Sequence, residues 1–300
     1  MFPIIQVEAQ DFEIFEQLGT KQKFWYDDSR HLFKRGRQGT GENWAEVVSA
    51  AIAEGLRLPH AKYNLARTRV GEESWDGVVT PNFVPPDGRL VLGNELIMPP
   101  ISSSERASQQ TRRTHHTVAR LAALLRLPII RPPVGWELPE GVSGARGTMT
   151  GYLMLDALIG NQDRHEENWG LLVLPERQIH LAPTFDHASS LGRNELDTTR
   201  IAKLAARRAE HGVDGYAARA NSQLYDRTGR RLKTVEAFEE FYRLDTSSGD
   251  YWLKRLCALD EAFFRGIFAL VPPDWITEPA REFAVAMLIS NRRNLLEITL

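Results

Sequence analysis

The chain has 300 residues, 42% hydrophobic and 25% charged, which excludes a disordered or low-complexity protein and leaves room for one large or two smaller cores. Its 37 Lys and Arg against 39 Asp and Glu give a net charge of -2, so no global field draws it to nucleic acid or anionic lipid. The single cysteine, Cys257, excludes an internal disulfide framework and a Cys-rich zinc site. No apolar run has membrane-spanning length and no leader pattern opens the sequence, so a cytoplasmic chain without a membrane partner is expected.

In chain order, residues 1–97 read as strand-rich. Lys23-Phe24-Trp25-Tyr26, a polar turn at 27–30 and His31-Leu32-Phe33-Lys34 form a hairpin pattern. The Gly-rich stretch 36–41 reverses the chain, and residues 42–54 then carry Val47, Val48, Ala51 and Ile52 at helical spacing, with Gly55 as the stop. Extended segments follow at 62–69 and 78–84, with a third at 89–92 after the Pro-Pro-Asp-Gly turn. From residue 98 helical patterns dominate, at 102–127 (capped within Ser102-Ser103-Ser104), 149–159, 199–211 (capped by Thr199), 235–244, 251–270 and 277–298. The fold class is α+β in two lobes, a small sheet with one helix at 1–97 and a mainly helical lobe at 98–300.

One segment breaks the helical pattern. Residues 169–174 and 178–181 are short apolar strands joined by Pro175-Glu176-Arg177. Polar residues flank this hairpin, Asn161-Gln162-Asp163-Arg164-His165-Glu166-Glu167-Asn168 before it and Thr184-Phe185-Asp186-His187 after it. Antiparallel strands return the chain to its origin, so Asp163, Asn168 and Asp186 come to the same end. Two carboxylates and an amide oxygen suit Mg²⁺, which takes a few protein oxygens and completes its shell with water and phosphate. The Asp163-x-x-x-x-Asn168 spacing is that of the protein-kinase catalytic loop, where the Asp accepts the substrate proton and the Asn holds a metal. Alone, that spacing arises by chance about once in a chain of this size, so its weight comes from the hairpin and the later Asp186.

Residues 160–170 and 182–191 together resemble the catalytic and metal-binding loops of the HipA-like serine/threonine kinases. Leu18-Gly19-Thr20-Lys21, Phe33-Lys34, Gly41-Glu42-Asn43-Trp44-Ala45-Glu46 and Leu92-Gly93-Asn94-Glu95 are similar, in order, to that family's nucleotide-side hairpin, strand lysine, following helix and inter-lobe hinge. The resemblance covers most of residues 18–191 and implies a two-lobed kinase-like fold with ATP between the lobes. It implies that Asp163 is the base or orienting carboxylate, that Asn168 and Asp186 are Mg²⁺ ligands and that Lys34 contacts the nucleotide phosphates. Gly19, Leu92 and Asn94 would line the nucleotide site, Glu46 would pair with Lys34, and His165 would fix the loop or touch the transferring phosphate. Lys21 and Lys23 flank the same hairpin and compete with Lys34 for the phosphate role. Arg164 reads either as an anchor for Asp186 or as an exposed cation. Residues 36–41 contain no serine, so control by a loop serine, known among relatives, does not carry over.

The activity implied is ATP- and Mg²⁺-dependent transfer to a hydroxyl of an unidentified protein acceptor, the chain itself included. Small-molecule or lipid-headgroup acceptors use the same parts. A nucleotide-binding pseudokinase acting as an interaction module is the alternative from another class. Nucleic acid is not expected, although the cations between 200 and 233 (Arg200, Lys203, Arg207, Arg208, Arg219, Arg227, Arg230, Arg231, Lys233) leave it open. Other nucleotide and hydrolase motifs fail, since Glu42 stands where a Walker lysine would follow Gly36-x-x-x-x-Gly41 and no Gly-x-Ser-x-Gly occurs.

Overall fold

The hairpin at the start of the chain forms as its alternation requires, with Phe24 opposite Phe33 and their rings stacked 4.9 Å apart. The computed structural model describes residues 1–8, 14–15, 22–98 and 109–298. Strands β1 (Ile4–Val7), β2 (Ile14–Phe15), β3 (Lys23–Tyr26) and β4 (His31–Arg35) precede helix α1 (Glu42–Leu56) and strands β5 (Asn64–Val70) and β6 (Glu73–Pro81). These strands make one sheet in the order β1-β5-β6-β4-β3-β2. Val7, Phe24, Phe33, Ala66, Trp75 and Val79 bury one another on it.

Helix α1 runs through Gly55 and ends just beyond it, at Leu56. Arg57 takes the left-handed conformation (φ 61°) and its N–H returns to the Ala53 and Glu54 carbonyls. Gly55 serves packing instead, because a Cβ there would collide with the Phe263 ring.

The chain continues through β7 (Arg89–Leu92), α2 (Gly93–Ile97), α3 (Gln109–His115), α4 (Val118–Leu125), β8 (Ile130–Arg131) and α5 (Gly144–Ile159). Strands β9 (Gly170–Leu174) and β10 (Gln178–Leu181) then precede α6 (Asp197–Leu204), α7 (Val213–Ala217), β11 (Asn221–Tyr225) and β12 (Arg231–Lys233). Helices α8 (Thr234–Leu244), α9 (Thr246–Cys257), α10 (Glu261–Ala269) and α11 (Glu278–Leu296) end the chain. Strand β7 pairs with β9, in a second sheet ordered β7-β9-β10-β8, so the first sheet loses the last strand anticipated for it.

Three helical expectations change, two of them for a capping reason. The stretch at 102–127 is two helices within the described residues, because the Thr117 hydroxyl accepts the Arg120 N–H and starts α4 afresh; Ser102-Ser103-Ser104 lie outside the described residues. The stretch at 251–270 divides where the Asp260 carboxylate accepts the Phe263 N–H at 2.8 Å and opens α10. The stretch at 199–211 contains only α6 and a short 3-10 turn, with Thr199 inside the helix rather than capping it. Helix α5 is the axis of the larger core: every residue but Gly144 and Arg146 is buried, and it packs on α8, α9 and α11. Full burial of each large apolar side chain there contributes about 1.5–3 kcal/mol. Among the described residues no helix is long and apolar enough to cross a membrane.

Candidate active site

The site begins at the end of α5. Gly160 takes the left-handed conformation (φ 62°) and turns the chain out of the helix. Asp156, one turn back and 3% exposed, organises the loop: its Oδ1 accepts the Asn161 Nδ2–H at 2.8 Å, and the Asn161 Oδ1 accepts the Asp163 N–H at 3.1 Å. Arg164, only 1% exposed, is the anchor of the two readings open to it. Its Nε and Nη2 donate to the two Asp156 oxygens, each at 2.8 Å, and Nη2 also donates to Thr184 Oγ1 at 2.8 Å. Nη1 reaches the Asn168 carbonyl at 2.7 Å and the Phe185 carbonyl at 3.2 Å. One guanidinium therefore ties both polar flanks of the β9–β10 hairpin to α5. Burial works against its charge, and the Asp156 carboxylate more than offsets this, so its pKa is raised.

The tether leaves Asp163 open to solvent on its side-chain face, 45% exposed, with Oδ2 accepting the Ser189 hydroxyl at 3.2 Å. Asn168 donates Nδ2–H to the Asp163 carbonyl at 2.7 Å, which leaves Oδ1 as the amide's acceptor. His165 accepts the Glu167 N–H on Nδ1 at 3.1 Å, so in the neutral ring Nε2 carries the proton; that atom lies 3.9 Å from Asp163 Oδ1, beyond a hydrogen bond. His165 shapes the loop and lies beside Asp163.

Across from this loop, Asp186 has a left-handed backbone (φ 58°), which asparagine and aspartate tolerate better than other side chains but which still costs about 1 kcal/mol. Its neighbours hold it there. Its own N–H donates to the Tyr63 hydroxyl at 3.3 Å, and the next two, of His187 and Ala188, donate to Glu46 Oε1 (2.7 Å) and Oε2 (3.1 Å). Ser49, one turn further along α1, meets the Ser190 hydroxyl at 3.1 Å. Helix α1 thus clamps the Asp186 loop through a buried carboxylate that is 1% exposed.

The expected pairing of Glu46 with Lys34 takes a different form, because the two Glu46 oxygens are engaged by backbone N–H groups. Burial opposes the charge on Lys34, but Asp186, then Tyr63 and then Glu46 outweigh it and hold the ammonium well above the ordinary lysine range. Burial, with Glu46 and Asp186 adding to it, likewise pushes the Tyr63 phenol up, so it stays a neutral hydroxyl. Lys34 has Asp186 as its principal charge partner. Lys23 is its cross-strand neighbour, and Lys21 lies outside the described residues.

Leu92 and Asn94 sit where β7 becomes α2, directly against the 163–170 segment. Leu92 pairs with Gly170, the Gly93 N–H donates to the Trp169 carbonyl at 3.0 Å, and the Asn94 N–H donates to the Glu166 carbonyl at 2.9 Å. Gly19 lies outside the described residues. Many of the cations between 200 and 233 are engaged within the chain: Arg200 bonds Asp197 and the Gly192 carbonyl, Arg230 bonds Asp226 and Glu236, and Arg219, Arg231 and Lys233 donate to backbone carbonyls.

Sequence reasoning missed Tyr63, Asp156 and Asn161. A usable signal existed for Asp156, an acidic residue inside the apolar helical run Tyr152-Leu153-Met154-Leu155-Asp156-Ala157-Leu158. For Tyr63 there was none. Among the described residues no group of three or more His, Cys, Asp or Glu side chains forms a metal cluster. The donors present are the Asn168 amide oxygen and the Asp186 carboxylate, a set too small to cage a metal alone but of the hard-oxygen kind that suits Mg²⁺ when phosphate oxygens and water complete the shell.

No family model and no curated protein matches the sequence. Solved structures do. The proinflammatory kinase CtkA of Helicobacter pylori superimposes with a TM-score of 0.68 at 19% identity, covering 99% of this chain and 100% of that one. HipA of Shewanella oneidensis MR-1, from a toxin–antitoxin complex with HipB and operator DNA, superimposes with a TM-score of 0.52 at 13% identity, covering 95% of this chain and 67% of HipA's. The chain therefore shares the kinase-like fold of these two structures, the fold that the resemblance over residues 18–191 implies.

Proposed function

We propose that this chain is an ATP- and Mg²⁺-dependent kinase that transfers the γ-phosphate of ATP to a serine or threonine hydroxyl of a protein acceptor, itself included, in the cytoplasm. The observation that carries the reading is that one buried guanidinium, Arg164, binds the backbone on both sides of the site and so fixes the Asp163–Asn168 loop against the Asp186 loop, with Lys34 beside Asp186.

Phosphoryl transfer is mostly positioning and charge stabilisation, and few groups suffice. Asp163 accepts the proton of the acceptor hydroxyl as its oxygen bonds to the γ-phosphorus and the bridging bond to ADP breaks. Its exposed carboxylate and fixed backbone fit that task. Asn168 Oδ1 and the Asp186 carboxylate would hold Mg²⁺, which supplies charge neutralisation on the phosphates. Lys34, fully protonated, neutralises phosphate charge from the sheet side. Glu46 acts one step removed, by setting the Asp186 loop. Gly19, Leu92 and Asn94 would border the nucleotide, and His165 would keep the loop in shape beside Asp163.

The test is transfer of labelled γ-phosphate from Mg·ATP to the chain itself, to water and to a pool of cell proteins, comparing wild type with Asp163→Asn and Asp186→Asn at matched folding. Label on discrete proteins that disappears in both variants supports a protein kinase. ATP binding with no transfer to any of these pools refutes it and turns attention to small-molecule acceptors or a nucleotide-binding scaffold.

A further inference from the structure

Between Asp186 and α6 the chain makes a tight turn at Leu191 and Gly192, both left-handed (φ 56° and 66°). A Cβ at residue 192 would collide with the Phe283 ring, so glycine is required there. The turn sends Arg193, whose side chain is 11% exposed, back to the first residue of α1. There its Nη1 donates to Glu42 Oε1, while Nη2 donates to the Ser189 hydroxyl at 3.0 Å. The Arg193 carbonyl accepts the Gly41 N–H at 3.0 Å. Glu42, 2% exposed, also accepts the Arg37 N–H at 3.1 Å and Arg37 Nη1 at 2.8 Å. Ser189 in turn donates to Asp163 Oδ2.

These bonds form one continuous path from the Gly-rich turn at 36–41, through Glu42, Arg193 and Ser189, to Asp163. Most members are charge-assisted, and the central carboxylate is buried, so displacing Arg193 leaves a buried charged group short of a partner. Each member also has little freedom of its own. Arg193 is gripped at its guanidinium and at its carbonyl, and Glu42 is held by two guanidinium groups and an N–H.

We infer that Arg193 is a positioning residue that locks the Gly-rich turn and the Asp163 carboxylate into one unit. Its consequence for catalysis rests on the phosphotransfer reading: the turn that follows the Lys34 strand and the carboxylate that receives the acceptor proton are then held in one register. The geometric half of the inference holds or falls without any chemistry.

Hydrogen exchange on the ligand-free chain tests that half. In Arg193→Gln, amides at 36–46 and at 160–168 should both exchange at least several-fold faster. Ser189→Ala, which cuts the path beyond Arg193, should loosen 160–168 and spare 36–46. Glu42→Gln keeps the side-chain shape and should loosen 36–46. Changes in Arg193→Gln confined to 189–195, or loosening of 36–46 in Ser189→Ala, overturn the inference. The second arm is γ-phosphate transfer. Arg193→Gln should lower kcat by about 10- to 100-fold with KM for Mg·ATP shifted far less, as misplacement of a catalytic group does. Combining it with Ser189→Ala should lower kcat no further, because both cut the same path. Multiplying effects would overturn the coupling. If wild type transfers no phosphate, the kinase reading fails while the exchange arm still decides whether the unit exists.

Discussion

Replacing Arg164 by methionine removes the group that binds both loops of the site to α5. Five hydrogen bonds go with it, two of them to Asp156. The Asp156 carboxylate, 3% exposed, then keeps the Asn161 amide as a side-chain partner but has lost its counter-charge. Breaking a buried pair in this way costs about 3–5 kcal/mol, roughly a fifth or more of the stability of a typical domain. The double variant Arg164→Met/Asp156→Leu removes the stranded charge along with its partner, and such apolar replacements restore most of the loss. Urea unfolding followed by circular dichroism, with the slope checked for constancy, reads both effects. Transfer activity should not follow stability, because the Asn168 and Phe185 carbonyls stay without the guanidinium in either variant. A double variant as unstable as the single one, or one in which γ-phosphate transfer returns together with stability, would refute the assignment of Arg164 as the anchor of both loops.

Three further outcomes rest on particular contacts. Burial holds the His116 pKa down from 6.5 to about 4, with Nδ1–H donating to the Gln223 carbonyl and Nε2 accepting the Trp169 indole N–H. The unfolded chain therefore takes up that proton first as pH falls, so the contribution is complete above pH 6.5 and shrinks toward pH 4, by about 3 kcal/mol in total at 1.36 kcal/mol per pH unit. Urea midpoints at pH 7.5 and pH 4.5 should separate wild type from His116→Gln, and an identical acid loss in the two would remove His116 as the cause. Glu46→Gln replaces one acceptor oxygen by a donor facing a buried N–H, a loss of about 1–3 kcal/mol; faster amide exchange at His187 and Ala188 is the reading, and unchanged protection there would count against the clamp. Gly93→Ala would push a methyl into the Trp169 ring and to 2.7 Å from the Glu166 carbonyl, so the β7–α2 junction must shift at a cost of about 1–3 kcal/mol, visible as a lower melting temperature; a wild-type melt would show that the junction gives freely.

Much of this protein is written locally. The 23–34 hairpin, the 169–181 hairpin, the Gly160 stop of α5 and the start of α11 at Thr277 arise from alternation, turn chemistry and capping, which act within a few residues. The placement of Asp163, Asn168 and Asp186 on the two flanks of one hairpin was legible for the same reason, since its geometry is set by neighbours in sequence. Where helices end was less legible: Gly55 reads as a stop, but its missing side chain admits Phe263, and no local pattern announces a ring 208 residues away. Only the tertiary structure could place Glu46 on the backbone of His187 and Ala188, Tyr63 beneath Asp186, or Arg193 against Glu42, because those pairs join residues more than 120 positions apart. Such pairings depend on how the sheet, α1 and α5 pack together, and the same side chains in another packing would be ordinary surface acids, phenols and cations. The identities of the candidate site residues are local facts of the sequence, whereas their alignment is a property of the packed core.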